Sequence, residues 1–273
     1  MLVMSKYYYP IVHYWTLWFS EAMIYYLKKN GYRINQRDSI MDIGCGIGYH
    51  CFQVLKYKPQ NVTGIDISSE TINFLKAFTD KIKFEAKDIS NGDISAYKEQ
   101  YSMVFSSDVY EHVSNPQIML DNINTILKPG GLACITFPNW DHHGQNQFQD
   151  INTLIRQIQN AGFKEFKISV IQDYSFIHNV FMKLYLTIQK LSDKLFKVNR
   201  RIIEGSGMPE SDECHQMYGF EKNLKLKNKK YLIIIINYFY NWIRIITRLM
   251  PPFVISNDIS VVKNKRLIFV AIK

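Results

Sequence analysis

The residues able to do chemistry gather after apolar runs. Asp42 sits in Ile40-Met41-Asp42-Ile43, and Gly44, Gly46 and Gly48 follow it two residues apart, with Cys45 between the first two. Glycine tolerates positive φ and lets a ligand approach the backbone closely. An acid at a strand end accepts hydrogen bonds from an amine or from hydroxyls. Asp66 ends the next apolar run, Val62-Thr63-Gly64-Ile65-Asp66, where a doubly wound sheet reads a ribose. Later, Glu111 and His112 pair a carboxylate with the side chain that titrates near neutrality. His112 is the first candidate general base. The alternative is structural, with Glu111 bonding backbone near the glycine turn and His112 capping the next helix. Trp140, His142 and His143 follow Phe137-Pro138-Asn139 and are candidate acceptor-site residues.

These residues need a scaffold that brings strand ends together, and the pattern supplies one. Strands are expected at 40–44, 61–66, 82–86, 102–107, 131–137, 164–171 and 266–273, with helices at 48–57, 69–79, 115–127 and 149–161. Such alternation implies a parallel sheet with helices on both faces. Ser68 and Ser69 with Glu70 suit the start of the second of these helices. Lys128-Pro129-Gly130-Gly131 reads as a turn. Residues 11–29 carry Trp15, Trp18, Phe19, Ala22, Met23, Tyr26 and Leu27 at helical spacing, and Asn30-Gly31 is a stop.

The form Asp42-Ile43-Gly44-Cys45-Gly46-Ile47-Gly48 departs from the G-x-G-x-x-G dinucleotide fingerprint. It resembles motif I of the class I S-adenosylmethionine (SAM) methyltransferases, over about 38–171 plus the last strand. Asp108, Glu111, His112 and Val113 place it nearest the methyltransferase type 11, or ubiquinone-biosynthesis O-methyltransferase-like, subgroup. The resemblance implies an α/β fold with a doubly wound, seven-stranded, mostly parallel sheet and an antiparallel last strand. It implies that Asp42, Gly44, Cys45, Gly46 and Gly48 line the methionine part of SAM. Asp66 would take the ribose hydroxyls and Ile67 would pack on adenine. Asp88 would accept from the adenine amine with Ile89 beside it, and Ser106 would lie near the sulfonium. Asp108, Glu111 and His112 suggest a divalent cation by analogy with the quinone-ring enzymes, but a one-turn cluster without a distant ligand favours no metal.

Domains are expected at 1–37 (a helical lid), 38–173 plus 261–273 (SAM binding) and 174–260 (a helical insertion). About ninety residues separate the last two strands, where a hairpin needs only a few. Within the insertion, Ile177, Phe181, Leu184, Ile188, Leu191, Leu195 and Val198 form an apolar stripe opposite a basic one. A second apolar and aromatic helix is expected over 231–250, with Asn237, Asn241, Arg244 and Arg248 as a narrow polar stripe. Its apolar runs are too short to span a bilayer. Packing on the domain, an interfacial membrane helix, a greasy acceptor pocket and a dimer interface all stay open.

Composition bounds the rest. The 273 residues carry a net charge of +9 and 14% aromatics, which favours anionic partners if the lysines are more than a solvated surface. Cys45, Cys51, Cys134 and Cys214 show no C-x-x-C pairing, so reduced thiols in a cytoplasmic, possibly membrane-associated protein are expected. The start lacks a signal-peptide layout. The reading is O-methylation of a small-molecule or lipid-linked acceptor. Nucleic-acid methylation is second, set aside because Ser106-Ser107-Asp108-Val109 stands where an N-P-P-Y or D-P-P-Y motif would. A SAM-binding protein without turnover is third, and an NAD-linked reductase fourth.

Overall fold

The computed structural model describes residues 14–46, 48–76, 79–91, 93–139, 150–172, 187, 254–259 and 265–273. The chain divides into two compact units, one of Trp18–Gln172 with Val254–Lys273 and the other of Met1–Leu17 with Asp173–Phe253. In order, the elements are α1 (Tyr14–Lys29), β1 (Ser39–Ile43), α2 (Tyr49–Val54), β2 (Asn61–Asp66), α3 (Ser69–Lys76), β3 (Lys83–Ala86), β4 (Tyr101–Ser107), α4 (Pro116–Ile126), β5 (Leu127–Asn139), α5 (Ile151–Asn160), β6 (Glu165–Gln172), β7 (Val254–Ser256) and β8 (Lys265–Ile272).

The strands form one sheet in the order β3-β2-β1-β4-β5-β8-β6-β7. β1 to β5 are parallel, and β8 runs antiparallel to both β5 and β6. The sheet therefore has eight strands rather than the expected seven. Val254–Ser256 pairs antiparallel with β6, inside the stretch expected to be a helical insertion but beyond its second expected helix. Its residues, Val-Ile-Ser, are β-branched or small and suit an edge strand.

Alternation sorts the core. Met41, Ile43, Ile65, Val104, Ile135 and Phe269 point to one face, in a single buried cluster with Met119, Leu120, Ile123, Leu154 and Ile158 of α4 and α5. The opposite face carries α1 and α2. Tyr26 of α1 donates to the Lys167 carbonyl at 3.1 Å and shares a hydrogen bond with Ser169. A Cβ on Gly64 would lie 2.9 Å from the Cys51 sulfur of α2, so this glycine lets helix and strand pack closely. Both faces are covered, which is why β1 is buried throughout.

Ser68 caps α3 as expected, its Oγ accepting from the Thr71 N–H at 3.2 Å. Asn115, not His112, caps α4: its side chain accepts from the Gln117 and Ile118 N–H groups, with Pro116 at the first helical position. Lys128, Pro129, Gly130 and Gly131 are not a separate turn. They form the start of β5, where the pairing slips from Tyr101↔Leu127 to Met103↔Leu132 and Gly130 takes φ +74°. The extra residues bulge out of the ladder, the chain turning at Gly130 in the left-handed region before the pairing resumes. The helices expected over 177–198 and 231–250 lie outside the described residues. Among the described residues, no helix is long and apolar enough to cross a membrane.

Candidate functional site

The carboxyl ends of β1, β2 and β4 converge on the glycine turn. Gly44, Gly46 and Gly48 all have positive φ. The Cys45 N–H bonds the Ile65 carbonyl of β2 at 2.9 Å, and the Gly48 N–H closes the turn on Cys45 at 2.8 Å. Asp66 braces it: one carboxylate oxygen accepts from the Gly46 N–H (2.8 Å) and the other from the Ser68 N–H (2.9 Å). Each oxygen keeps acceptor capacity for a ligand hydroxyl.

Asp42 is buried. Its Oδ2 accepts from the Cys51 thiol at 3.4 Å, while Oδ1 has no partner among the described residues. Burial pushes its carboxyl up to about 7, the Cys51 bond opposing and the Asp66 charge adding to the rise. An orphaned buried carboxylate oxygen is costly unless something fills its place. Ile67, directly after Asp66, is 65% exposed, an aliphatic surface left open by the described residues. Asp88 accepts from both the N–H and hydroxyl of Ser90 at 2.7 Å, and Ile89 is buried. The Ser90 hydroxyl holds the Asp88 carboxyl below its ordinary value. Ser106 is buried and donates to the Ile43 carbonyl at 3.2 Å, tying β4 to β1.

After β4 the chain turns sharply. Asp108 takes φ +57°, a left-handed conformation unusual for a residue with a side chain, and its N–H bonds the Thr136 carbonyl at 3.0 Å. Its carboxylate pairs with the Arg266 guanidinium of β8. Glu111 is buried, with Oε2 unpartnered among the described residues, and its Oε1 lies 3.8 Å from the half-exposed His112 Nε2. Burial pushes Glu111 up to about 8, Asp108 adding to the rise and Arg266 opposing it. Tyr110, a possible pocket residue on sequence, is instead in the core. Its ring packs on Phe137 at 4.6 Å, and its hydroxyl donates to Gln157.

Sequence reasoning missed Arg266, which is 158 residues from Asp108, and Cys51 beneath Asp42. It also missed Val109, whose side chain roofs Gly44. Cys45, Cys51 and Cys134 are buried thiols. Trp140, His142, His143 and Cys214 lie outside the described residues. Among those described, no group of three or more His, Cys, Asp or Glu is disposed to hold a metal.

A family profile described as a methyltransferase domain matches residues 17–168, more than half of the 273. The chain belongs to the class I SAM-dependent methyltransferases. Its cofactor is SAM, and the features above fit that molecule. Asp42 offers an unpartnered oxygen for an ammonium, Gly46 leaves open space where a side chain would stand, and Ile67 presents an apolar face for a purine.

Three curated relatives resemble this methyltransferase over part of its length. A tRNA U34 carboxymethyltransferase of Campylobacter curvus is 28% identical over 42% of this chain and 39% of its own. The (S)-coclaurine N-methyltransferase of Papaver somniferum is 28% identical over 38% of this chain and 30% of its own. A malonyl-[acyl-carrier protein] O-methyltransferase of Ilyobacter polytropus is 34% identical over 34% of this chain and 37% of its own. The chain thus spans less than two-fifths of these proteins. Among solved structures, a Haemonchus contortus phosphoethanolamine N-methyltransferase 2 bound to SAM superposes with TM-score 0.53 at 16% identity, over 93% of this chain and 52% of its own. That likeness shows the fold. Relatives named for tRNA leave the expectation of no nucleic-acid partner without support.

Proposed function

We propose that this methyltransferase places its methyl group on a hydroxyl of a small-molecule or lipid-linked acceptor. The observation that carries the reading is the Glu111–His112 pair at the end of β4, a buried carboxylate beside a half-exposed imidazole. SAM supplies an electrophilic methyl on a sulfonium, a good leaving group, so the protein's work is mainly alignment. Asp42 holds the ammonium of the cofactor, Asp66 the ribose hydroxyls, and Ile67 and Ile89 flank the adenine, whose amine donates a hydrogen bond to the Asp88 carboxylate. Gly44, Cys45, Gly46 and Gly48 form the cradle, and Ser106 keeps the end of β4 fixed against β1.

A hydroxyl is a weak nucleophile until its proton leaves. His112 accepts that proton at Nδ1, the ring nitrogen away from Glu111, and ionised Glu111 stabilises the imidazolium across the 3.8 Å between its Oε1 and Nε2. Because the Glu111 carboxyl titrates near 8, it carries a proton below that value. Turnover on a hydroxyl acceptor is therefore expected to rise with pH toward 8 and level off above it. Glu111→Gln should remove that dependence. His112→Ala should lower kcat by about 100-fold or more with little change in SAM affinity; equal kcat in wild type and variant would overturn the assignment.

A relative named as an O-methyltransferase supports transfer to an oxygen, and the apolar patterns of 177–198 and 231–250 support a lipid-linked acceptor met at a membrane surface by a cytoplasmic protein. In this reading the first part of 1–37, ahead of the core residues Ala22, Met23, Tyr26 and Leu27, acts as a lid, 174–260 supplies acceptor or membrane contact, and His142 and His143 border the acceptor. The relatives named as tRNA carboxymethyltransferases favour a second reading, in which the acceptor is an RNA. Calorimetric titration with SAM and its demethylated product, NADH as control, tests the cofactor assignment. Both SAM ligands should bind in the micromolar range, and Asp66→Ala should abolish it, since the variant loses the ribose acceptor and the brace on Gly46. Labelled-methyl transfer to membrane-extracted quinones and glycolipids against bulk tRNA separates the two acceptor classes.

A further inference from the structure

At the opposite end of β1 and β2 from the glycine turn there is a cavity of ≈ 390 Å³, lined by Leu27 and Lys28 of α1, Tyr32, Arg33 and Ile34 of the loop into β1, and Tyr57 just before β2. β1 and β2 are parallel, so this cavity lies at their amino ends and the cofactor turn at their carboxyl ends. The five residues of β1 separate the two by about 16 Å.

The lining has a definite chemistry. Leu27 is buried and Ile34 half-buried, giving an apolar floor. Lys28 and Arg33 are exposed at the rim, and among the described residues neither has an ion-pair partner. The Lys28 ammonium lies 5.7 Å from the Tyr57 ring centroid, and that of Lys56 lies 4.9 Å from the same ring. Aromatic faces hold cations in place without neutralising them. Asp38, the acid nearest in sequence to the loop, is buried and accepts from the Asn35 N–H (2.7 Å) and the Ser102 hydroxyl (2.9 Å). Among the described residues no carboxylate lines the space, and its charged side chains are both cations. The site suits one anionic group attached to an apolar body. Its volume equals about thirteen groups of ~30 Å³, the size of a ten-carbon carboxylate. A phospholipid whose tails stay in a bilayer would leave the floor empty, which favours a free molecule.

We propose that this cavity is a second ligand site of the methyltransferase, binding a free medium-chain aliphatic carboxylate with its chain on Leu27 and Ile34 and its head between Lys28 and Arg33.

The test is calorimetric titration of the full chain with decanoate below its micellar concentration. A single site is expected, with octanoate weaker by roughly tenfold for its two missing methylenes and decanol not binding. Lys28→Glu/Arg33→Glu should weaken decanoate at least fivefold while melting temperature and SAM affinity stay as in wild type. Ile34→Trp, which fills the cavity without touching the charges, should abolish decanoate binding and spare SAM; it serves as the second probe should charge reversal disturb folding. The proposal is overturned if decanoate fails to bind, if it displaces SAM, or if decanol or acetate binds equally well. It is equally overturned if both variants bind decanoate like wild type, or if Lys28 and Arg33 bind anionic phosphatidylglycerol vesicles but not free decanoate.

Discussion

Gly44→Ala is expected to cost about 3 kcal/mol or more of stability and to weaken SAM binding by at least about 100-fold. Two effects add. The residue has φ +65°, where a side chain costs roughly 1–2 kcal/mol. The new methyl would also stand 2.1 Å from Val109 Cγ2, far inside contact distance, so either the cofactor turn or the segment carrying Glu111 and His112 must move. Thermal melting and SAM titration measure both losses. Adding Val109→Ala should recover the steric part and leave the backbone part, so the double variant should fall between wild type and Gly44→Ala. Unchanged SAM affinity in Gly44→Ala would mean that the turn is not the cofactor cradle.

Asp42→Asn is expected to weaken SAM binding by about 10- to 100-fold, the worth of a charge-assisted hydrogen bond, while leaving the ligand-free protein more stable at pH 8. The sign follows from the carboxyl's rise from 3.8 to about 7. The folded state holds the proton more tightly than the unfolded chain. This group's penalty is therefore absent below about 4, grows as pH rises toward 7, and is complete above it. Three units correspond to at most ~4 kcal/mol, which an uncharged asparagine avoids. Binding the cofactor's ammonium requires the ionised form, so wild-type SAM affinity should climb with pH up to about 7. It should fall again above about 8 as an α-amino group loses its proton. The variant should lack the acid limb. Titrations from pH 5.5 to 9 and melts at pH 5 and 8 check both halves; a variant that binds SAM like wild type would remove Asp42 from the site.

In the proposed role, the destabilised Asp42 carboxylate trades resting stability for recognition of the cofactor's ammonium. Asp42 and Glu111 each have a buried oxygen without a partner among the described residues, and they lie at the ends of neighbouring strands, β1 and β4. In the proposed mechanism Asp42 holds the methyl donor and Glu111 helps ready the acceptor. The spacing between those roles is set by the β1–β4 ladder, in which Ile43 is paired with Ser106.

Much of this was legible in the chain itself. The apolar runs, the glycine turn, and the acids Asp42 and Asp66 at strand ends are local features, and strand and helix periods of two and 3.6 residues declare themselves within short windows. Ser68 could be read as a cap for the same reason. What the sequence left open depends on contacts between distant segments. Arg266 meets Asp108 because β8 lies beside β5, and no local pattern encodes that adjacency. Cys51 reaches Asp42 because α2 folds back over β1 and β2. The eighth strand exists because Val254–Ser256 finds a free edge on β6, and Tyr110 is core because its ring meets Phe137 across the sheet's covered face. Local sterics and polarity fix where elements start and stop; only the assembled sheet decides which side chains share a site.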